Sequence, residues 1–164
     1  MAHPAPTRED APAAPHAEGR TRYADDLYSW VQEQVALLRA GRVDALDLDN
    51  IAEELSDVGL SEYHRLTSAV EIVLLHMLKW DHQLERRSRS WTLSIAEHRE
   101  RILIPLRKSP RLRSSLDEVQ RDGFRLGRLG AARQMRRSPK TLPAECPYSW
   151  DDILNRPFEV DVDR

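Results

Sequence analysis

The sequence predicts an all-α protein: a single helical bundle of four to five main helices, with a disordered N-terminal tail and a proline-rich C-terminal arm that ends in a short helix. Charged residues make up 32% of the 164 residues and aromatic residues 6%, which favours helix over sheet. Several stretches place apolar residues three and four positions apart, the spacing of an amphipathic helix. Because this length can bury a core in one domain, we predict a disordered tail over residues 1–20, a helical bundle domain over 21–155 and a flexible tail over 156–164.

Local signals predict the N-terminal tail and the first two helices. Residues 1–20 contain four prolines and no apolar periodicity, which is typical of disorder. A first helix is predicted over residues 23–40, with Gly41 at the position of a helix-ending glycine. A second is predicted over residues 49–58, capped by Asp47 or Asn50 and stopped by Gly59. The expected inner faces are Leu27, Val31, Gln34, Val35 and Leu38 in the first helix, and Ile51, Leu55 and Val58 in the second.

The most apolar stretch is the third predicted helix, over residues 61–81, and we expect the rest of the chain to pack around it. Its apolar residues fill about half of the helix circumference, which is typical of a helix covered on several sides. The stretch is too short and too polar to span a membrane. The residues expected in the core are Leu66, Ala69, Val70, Val73, Leu74, Met77, Leu78 and Trp80.

Two further long helices and a short one complete the predicted bundle. Ser90 is expected to cap the fourth helix, and Pro105 should kink or end it. A serine followed by proline at residues 109–110 is expected to open the fifth. A capping pattern at Ser149 predicts a last helix over residues 150–154. Either the fifth helix breaks at three glycines or these allow close helix contact, which we favour; they are Gly123, Gly127 and Gly130.

Charge is segregated along the chain although the formal net charge is only −2. Residues 44–57 contain six acids and no base, whereas residues 99–140 contain thirteen Lys and Arg against four acids. Such asymmetry indicates either an anionic partner or two segments that neutralise each other, and we favour neutralisation. The single cysteine, Cys146, and the lack of a secretion signal favour the cytoplasm of a bacterium.

An ordered series of short motifs runs through most of the chain. The motifs are residues 23–30, 44–48, Ala52-Glu53-Glu54-Leu55, Leu75-His76-Met77-Leu78-Lys79-Trp80, Arg87-Ser88-Arg89-Ser90-Trp91, Ser109-Pro110 and Cys146-Pro147-Tyr148. Taken in this order, they resemble the pattern of a bacterial family catalogued as a domain of unknown function, number 29, over roughly residues 22–155. The resemblance implies an all-helical bacterial protein, and it implies no activity.

Glu54, His76 and Arg99 are the candidate catalytic residues, because each falls at or near the edge of an apolar helix face. A carboxylate and an imidazole on successive helices can form an acid/base pair or ligate a metal ion. The alternative, which we favour, is a hydrogen bond that fixes the register of the helices. The chain has no Glu-x-x-His motif for a di-iron site, so we predict no metal and no cofactor, although ligands for a lone zinc ion from separate helices stay possible.

Arg86, Arg87 and Arg89 are the candidate anion-binding residues. They precede the fourth predicted helix, whose N-terminal end disfavours cations, so their charges need compensation. Ion pairs with acids of the second helix would supply it, and this is the interpretation that we favour. The functional alternative is a site for phosphate or nucleic acid, built from the arginines and free helix N–H groups.

The sequence leaves two functional hypotheses. The first, which we favour, is a non-enzymatic protein–protein interaction module that binds another protein or itself. The second is a hydrolase acting on nucleic acid or a phosphorylated substrate, in which Glu54 and His76 handle protons and arginines hold the anion. We expect no membrane association, and we expect nucleic acid binding to be weak or absent.

Overall fold

The computed structural model describes residues 20–160, and within them it contains five α-helices and no strand. The helices are α1 (Leu27–Arg39), α2 (Leu48–His82), α3 (Arg89–Lys108), α4 (Leu116–Met135) and α5 (Trp150–Asn155). The all-α prediction is therefore confirmed. Residues 1–19, where we expected a disordered tail, and residues 161–164 lie outside the described residues.

The chain divides into two compact units, the first ending at Glu54 and the second beginning at Leu55. Helix α2 contributes residues to both units, and each unit is described by itself below. The single bundle domain expected over residues 21–155 stays a prediction.

The first unit is organised by α1 and the turn that follows it. Asp26 caps α1 by accepting a hydrogen bond from the Ser29 backbone N–H at 3.0 Å. Gly41 has a φ of +69°, so it ends the helix as predicted. The expected inner face of α1 was wrong at its ends, because Leu27 and Leu38 are 47% and 53% exposed. The buried residues are Gln34, which belongs to the predicted face, and Trp30, which does not.

Two polar contacts explain which face of α1 is buried. The indole Nε1 of Trp30 donates to Asp47 Oδ2 at 3.1 Å, and the backbone N–H of Asp47 donates to Gln34 Oε1 at 2.9 Å. Asp47 also accepts a side-chain bond from Asn50 at 2.7 Å, at the start of α2. Because a buried indole and amide need partners, the polar residue Asp47 determines the orientation of α1 more than its aliphatic stripe does.

Helix α2 is one continuous helix where the sequence predicted two. It runs through Gly59, which we expected to act as a stop. Gly59 is not among the residues with positive φ, and no side chain or backbone atom lies within 4 Å of a Cβ built there. A glycine inside a helix costs only about 1 kcal/mol, so without a left-handed turn or a proline the helix continues.

The core of the second unit is the C-terminal part of α2. All eight residues predicted for the buried face of the central helix are at most 5% exposed. All of them except Trp80 belong to one cluster with Ile95, Ile102 and Leu106 of α3 and Val119 and Phe124 of α4. Because this burial removes the largest continuous apolar surface from water, it supplies the main stabilisation of the unit.

Helix α3 begins and ends at different residues from those predicted. Ser88, and not Ser90, occupies its N-cap position, and Pro105 lies inside the helix, which continues to Lys108. Pro105 has no N–H to donate to the carbonyl of Arg101, so one rung of the helix is missing there. The segment Pro110–Ser115 is a 3₁₀ helix that leads into α4.

The glycines of α4 allow close contact with α2, as favoured from the sequence. A Cβ at Gly127 would lie 2.8 Å from the Glu71 carbonyl oxygen, and one at Gly123 would lie 3.0 Å from a Val70 methyl group. Helix α4 continues through all three glycines. The small residues therefore bring the backbones of α2 and α4 close together, which offsets the helix propensity that they cost.

The C-terminal arm packs onto the second unit. Ser149 and Asp152 form a capping box at the start of α5, which confirms the predicted last helix. Beyond α5, where we expected a flexible tail from residue 156, Phe158 packs edge-on against Trp80 with ring centroids 5.3 Å apart. The apolar ring of Phe158 thus holds this part of the arm against α2.

Candidate functional site

Glu54 and His76, the expected acid/base pair, lie in one helix and not on two successive helices. They stand 22 positions apart along the continuous α2, and they belong to different compact units of the chain. Glu54 belongs to the first unit, where its Oε1 accepts a hydrogen bond from Tyr23 Oη at 2.7 Å. The geometry on which the pairing depended, two facing helices, is therefore absent.

His76 lies in the second unit beside α3 and is partly buried. Its Nδ1 is buried without a hydrogen-bond partner among the residues that the structure describes. Burial first, and then the charges of Lys79 and His98, lower the pKa of His76 from 6.5 to about 4. The imidazole is therefore neutral at pH 7, and it contacts the Trp91 ring at a centroid distance of 6.2 Å.

Lys79 follows His76 by one turn and is only 8% exposed. Its Nζ donates to Gln134 Oε1 at 2.8 Å and lies 4.1 Å from the centroid of the Trp91 ring. Burial lowers the pKa of Lys79. An amide oxygen and an aromatic face therefore take the place of a carboxylate partner, an arrangement that suits a buried ammonium group.

Arg99, the third candidate catalytic residue, binds the end of α5. Its Nε donates to the Ile153 carbonyl at 2.7 Å, and its Nη2 donates to the carbonyls of Asp152 and Arg156 at 3.0 and 2.8 Å. The last carbonyls of a helix have no partner inside the helix, and a cation there is also favoured by the helix dipole. This guanidinium thus serves as a side-chain cap for α5.

The three candidate anion-binding arginines differ in their surroundings. Arg87 donates from Nε to the Trp80 carbonyl at 3.1 Å and stacks over the Trp80 ring at 4.7 Å. All three arginines are exposed. Within residues 20–160 none of the three forms an ion pair, so the expected compensation by acids of the second predicted helix is absent. Exposure to water is what makes their charges tolerable beside the start of α3.

A polar cluster that the sequence analysis missed joins Asp81, Tyr148 and Arg156. Tyr148 Oη donates to Asp81 Oδ2 at 2.8 Å, and Arg156 donates to both oxygens of the same carboxylate. Burial raises the pKa of Asp81, but the hydrogen bonds from Arg156 and Tyr148 outweigh it and leave the pKa below its usual value. Burial, followed by the bond to Asp81, raises the pKa of Tyr148, which keeps its hydroxyl as a donor.

The second feature that the sequence analysis missed is an uncovered stretch of α2, residues 55–60. We expected Leu55 and Val58 to face the core, but they are 67% and 61% exposed, and Leu60 is 54% exposed. Every residue of this stretch is exposed, although Leu55 lies on the same helical stripe as the fully buried Leu66. The apolar stripe of α2 thus extends beyond the part that α3 and α4 cover.

At the candidate positions the described side chains form hydrogen bonds and packing contacts. Glu54 and Arg99 are each bound to other groups of the protein, and the His76 ring has a lowered proton affinity. Among residues 20–160 no group of three or more His, Cys, Asp or Glu side chains could hold a metal ion. None of the helices in this range has the length and apolar content needed to cross a membrane.

The structure defines an all-helical protein. Side-chain contacts between residues far apart in sequence stabilise its core and cap its last helix. The family described as a domain of unknown function, DUF29, matches residues 22–159, and the chain belongs to this family. The resemblance seen in the sequence is thereby confirmed. No curated protein and no solved structure matches the chain significantly.

Proposed function

We propose that this protein is a non-enzymatic protein–protein interaction module, and that residues 55–60 of α2 are its docking surface. The observation that carries the proposal is the exposure of Leu55 and Val58 on a stripe that is buried from Leu66 onwards. A helix that binds in a groove or pairs with another helix needs an exposed apolar stripe, and this one continues beyond the segment that packs against α3 and α4. Covering either side chain stabilises a complex by about 1.5–3 kcal/mol before association costs.

The charge around this surface favours a basic partner. Glu53 and Asp57 flank Leu55 along the helix, and no Lys or Arg occurs between residues 44 and 64. Two copies paired through this surface would bring like charges together, which disfavours self-association. We therefore propose a partner helix from a different protein that carries an apolar stripe bordered by Lys or Arg.

The positions of the candidate catalytic residues support the module over the hydrolase. A hydrolase built on Glu54, His76 and Arg99 requires all three around one substrate. Glu54 is bound to Tyr23, and Arg99 is bound to the carbonyls at the end of α5. The family match adds no activity to either hypothesis. We propose the cytoplasm of a bacterium as the location, as the single reduced cysteine favours.

The experiment that tests the proposal places a photo-crosslinking amino acid at Val58 and, as a matched control, at Leu93 of α3, which is 58% exposed. After irradiation in the host cell, we expect a protein adduct at position 58 that is absent at position 93. The partner segment that is crosslinked to position 58 should be a basic amphipathic helix. The purified partner is then titrated against the wild type by calorimetry.

The decisive variants are Leu55→Asp and Val58→Asp, with Leu93→Asp as the matched control. We expect the first two to weaken binding at least about tenfold, because a charge replaces a buried apolar anchor, and the control to bind as the wild type does. The proposal is overturned if both α2 variants keep full affinity. It is also overturned if the adduct at position 58 is a second copy of this chain or a nucleic acid.

A further inference from the structure

A cavity of about 350 Å³ lies between α2 and α3, and it is independent of the proposed docking surface. Five of its lining residues come from α2 between Glu62 and Ile72, and five come from α3 between His98 and Lys108. A volume of this order is enough for a small organic ligand. All of its walls belong to the second unit.

The wall of the cavity contains small residues on α2 and a proline on α3. On α2 the facing positions Ser68 and Ala69 are small, so little side-chain volume fills the space between the helices. On α3 the wall contains Pro105, which has no N–H to bond the Arg101 carbonyl. Arg101 also lines the cavity.

The lining combines cations with an apolar surface. Arg65, Arg101 and Lys108 contribute three positive charges against one carboxylate, Glu62. Glu62 is already paired with Arg65 at 2.8 Å, and Arg101 is paired with Glu97 at 2.6 Å outside the cavity. Lys108 takes part in no ion pair within the described residues 20–160, so its ammonium group is available for a ligand.

The apolar part of the lining consists of residues from both helices: Ala69, Ile72, Ile104 and Pro105. Ala69 is 4% exposed, whereas Ile104 is 44% exposed, so the apolar surface extends from the interior to the rim of the cavity. A ligand that only carried charge would leave this surface wet, and one that was only apolar would leave the ammonium of Lys108 unpaired.

We propose that this cavity binds a small organic oxyanion with an apolar group, with Lys108 as the main cationic contact and Arg101 and Arg65 as supporting ones. The anionic end is held by charge-assisted hydrogen bonds, which are stronger than neutral ones. The apolar group covers Ala69 and Ile104.

The test uses the full chain, labelled with ¹⁵N, and four probes: phenyl phosphate, benzoate, inorganic phosphate and benzyl alcohol. We expect the two probes that join an oxyanion to a ring to shift the amide signals of residues 101–108. Inorganic phosphate and benzyl alcohol, each of which lacks one half of the ligand, should bind at least about tenfold more weakly. Comparing phenyl phosphate with benzoate distinguishes a phosphate ligand from a carboxylate.

Two variants and one control complete the test. Lys108→Met should weaken the better ring probe about tenfold, because it removes a charged hydrogen-bond donor. Ser68→Trp, at an exposed position of the lining, should block binding by filling the mouth. Lys140→Met, at an exposed lysine outside the cavity, should leave binding unchanged. The proposal fails if no probe binds at millimolar concentration, or if Lys108→Met and Ser68→Trp both bind as the wild type does.

Discussion

Asp81 near the end of α2 and Arg156 just after α5 form a two-point ion pair across 75 residues of sequence. Arg156 Nη2 lies 2.6 Å from Asp81 Oδ1, and Nη1 lies 3.0 Å from Oδ2. The side chains are 31% and 28% exposed, so the pair is partly shielded from water. Paired in this geometry, the two residues tie the C-terminal arm to the central helix.

Replacing Arg156 by Met should lower the free energy of unfolding by about 1–2 kcal/mol at pH 7, because the Asp81 carboxylate loses two charged hydrogen bonds. Urea unfolding measures this change. Arg42→Met, which removes an exposed pair with Asp44, should change the stability by less than about 0.5 kcal/mol. Equal effects of the two variants would show that the Asp81–Arg156 pair contributes no more than a surface pair.

Acidification from pH 7 to pH 4 should destabilise the protein through His76. Its pKa is about 4 in the folded protein and 6.5 as a model value, so the unfolded chain binds more protons in this range. The contribution of His76 to the free energy of unfolding is therefore fully present above pH 6.5, and it decreases as the pH falls towards 4. After a discount for partial exposure, we expect a loss of about 1–2 kcal/mol.

The variant His76→Gln isolates that contribution, because glutamine does not titrate. Its stability should vary less between pH 7 and pH 4 than that of the wild type, measured by urea unfolding at several pH values. Asp81, whose pKa is lowered from 3.8, loses its contribution to stability mainly below that value, and this contribution is common to the wild type and His76→Gln, so it cancels in the comparison. An identical pH profile in His76→Gln would refute the assignment.

Gly127→Ala should destabilise the protein by about 1–3 kcal/mol. The added Cβ would lie 2.8 Å from the Glu71 carbonyl oxygen, which belongs to the backbone of α2 and cannot rotate away. Thermal or urea unfolding measures the loss. A variant as stable as the wild type would mean that α4 does not approach α2 this closely.

Gly59→Ala, in contrast, should stabilise the protein. The residue is helical and exposed, and a Cβ there meets nothing within 4 Å. Alanine should therefore raise the free energy of unfolding by about 0.5–1 kcal/mol through helix propensity. A loss of stability would indicate that the helix is interrupted at Gly59, as the sequence alone predicted.

The helical content and the core of the second unit were predictable because they depend on local periodicity. The apolar repeat from Leu66 to Trp80 and the capping box at Ser149 can each be recognised from a short stretch of neighbouring residues. The continuity of α2 was not predictable, because whether Gly59 ends a helix depends on its φ. That angle is determined by the surrounding structure and not by the residue itself.

Helical spacing shows which residues share a face of one helix, but not which residues of different helices meet. Helical spacing does not reveal that Asp81 meets Arg156, because that contact joins residues far apart in sequence. The same limitation led to the expected pairing of Glu54 with His76, which assumed two facing helices. The hydrogen bond between Lys79 and Gln134 was not predictable for the same reason, because the two residues lie 55 positions apart in the sequence.

The capping of α5 by Arg99 has a consequence for the order of folding. A six-residue helix is far too short to form alone in water, so α5 depends on the guanidinium that α3 supplies. On the ribosome, α3 is complete long before the residues of α5 emerge. The arm can dock only onto a unit that has already assembled, which makes its protection from a protease a late indicator that this unit has folded.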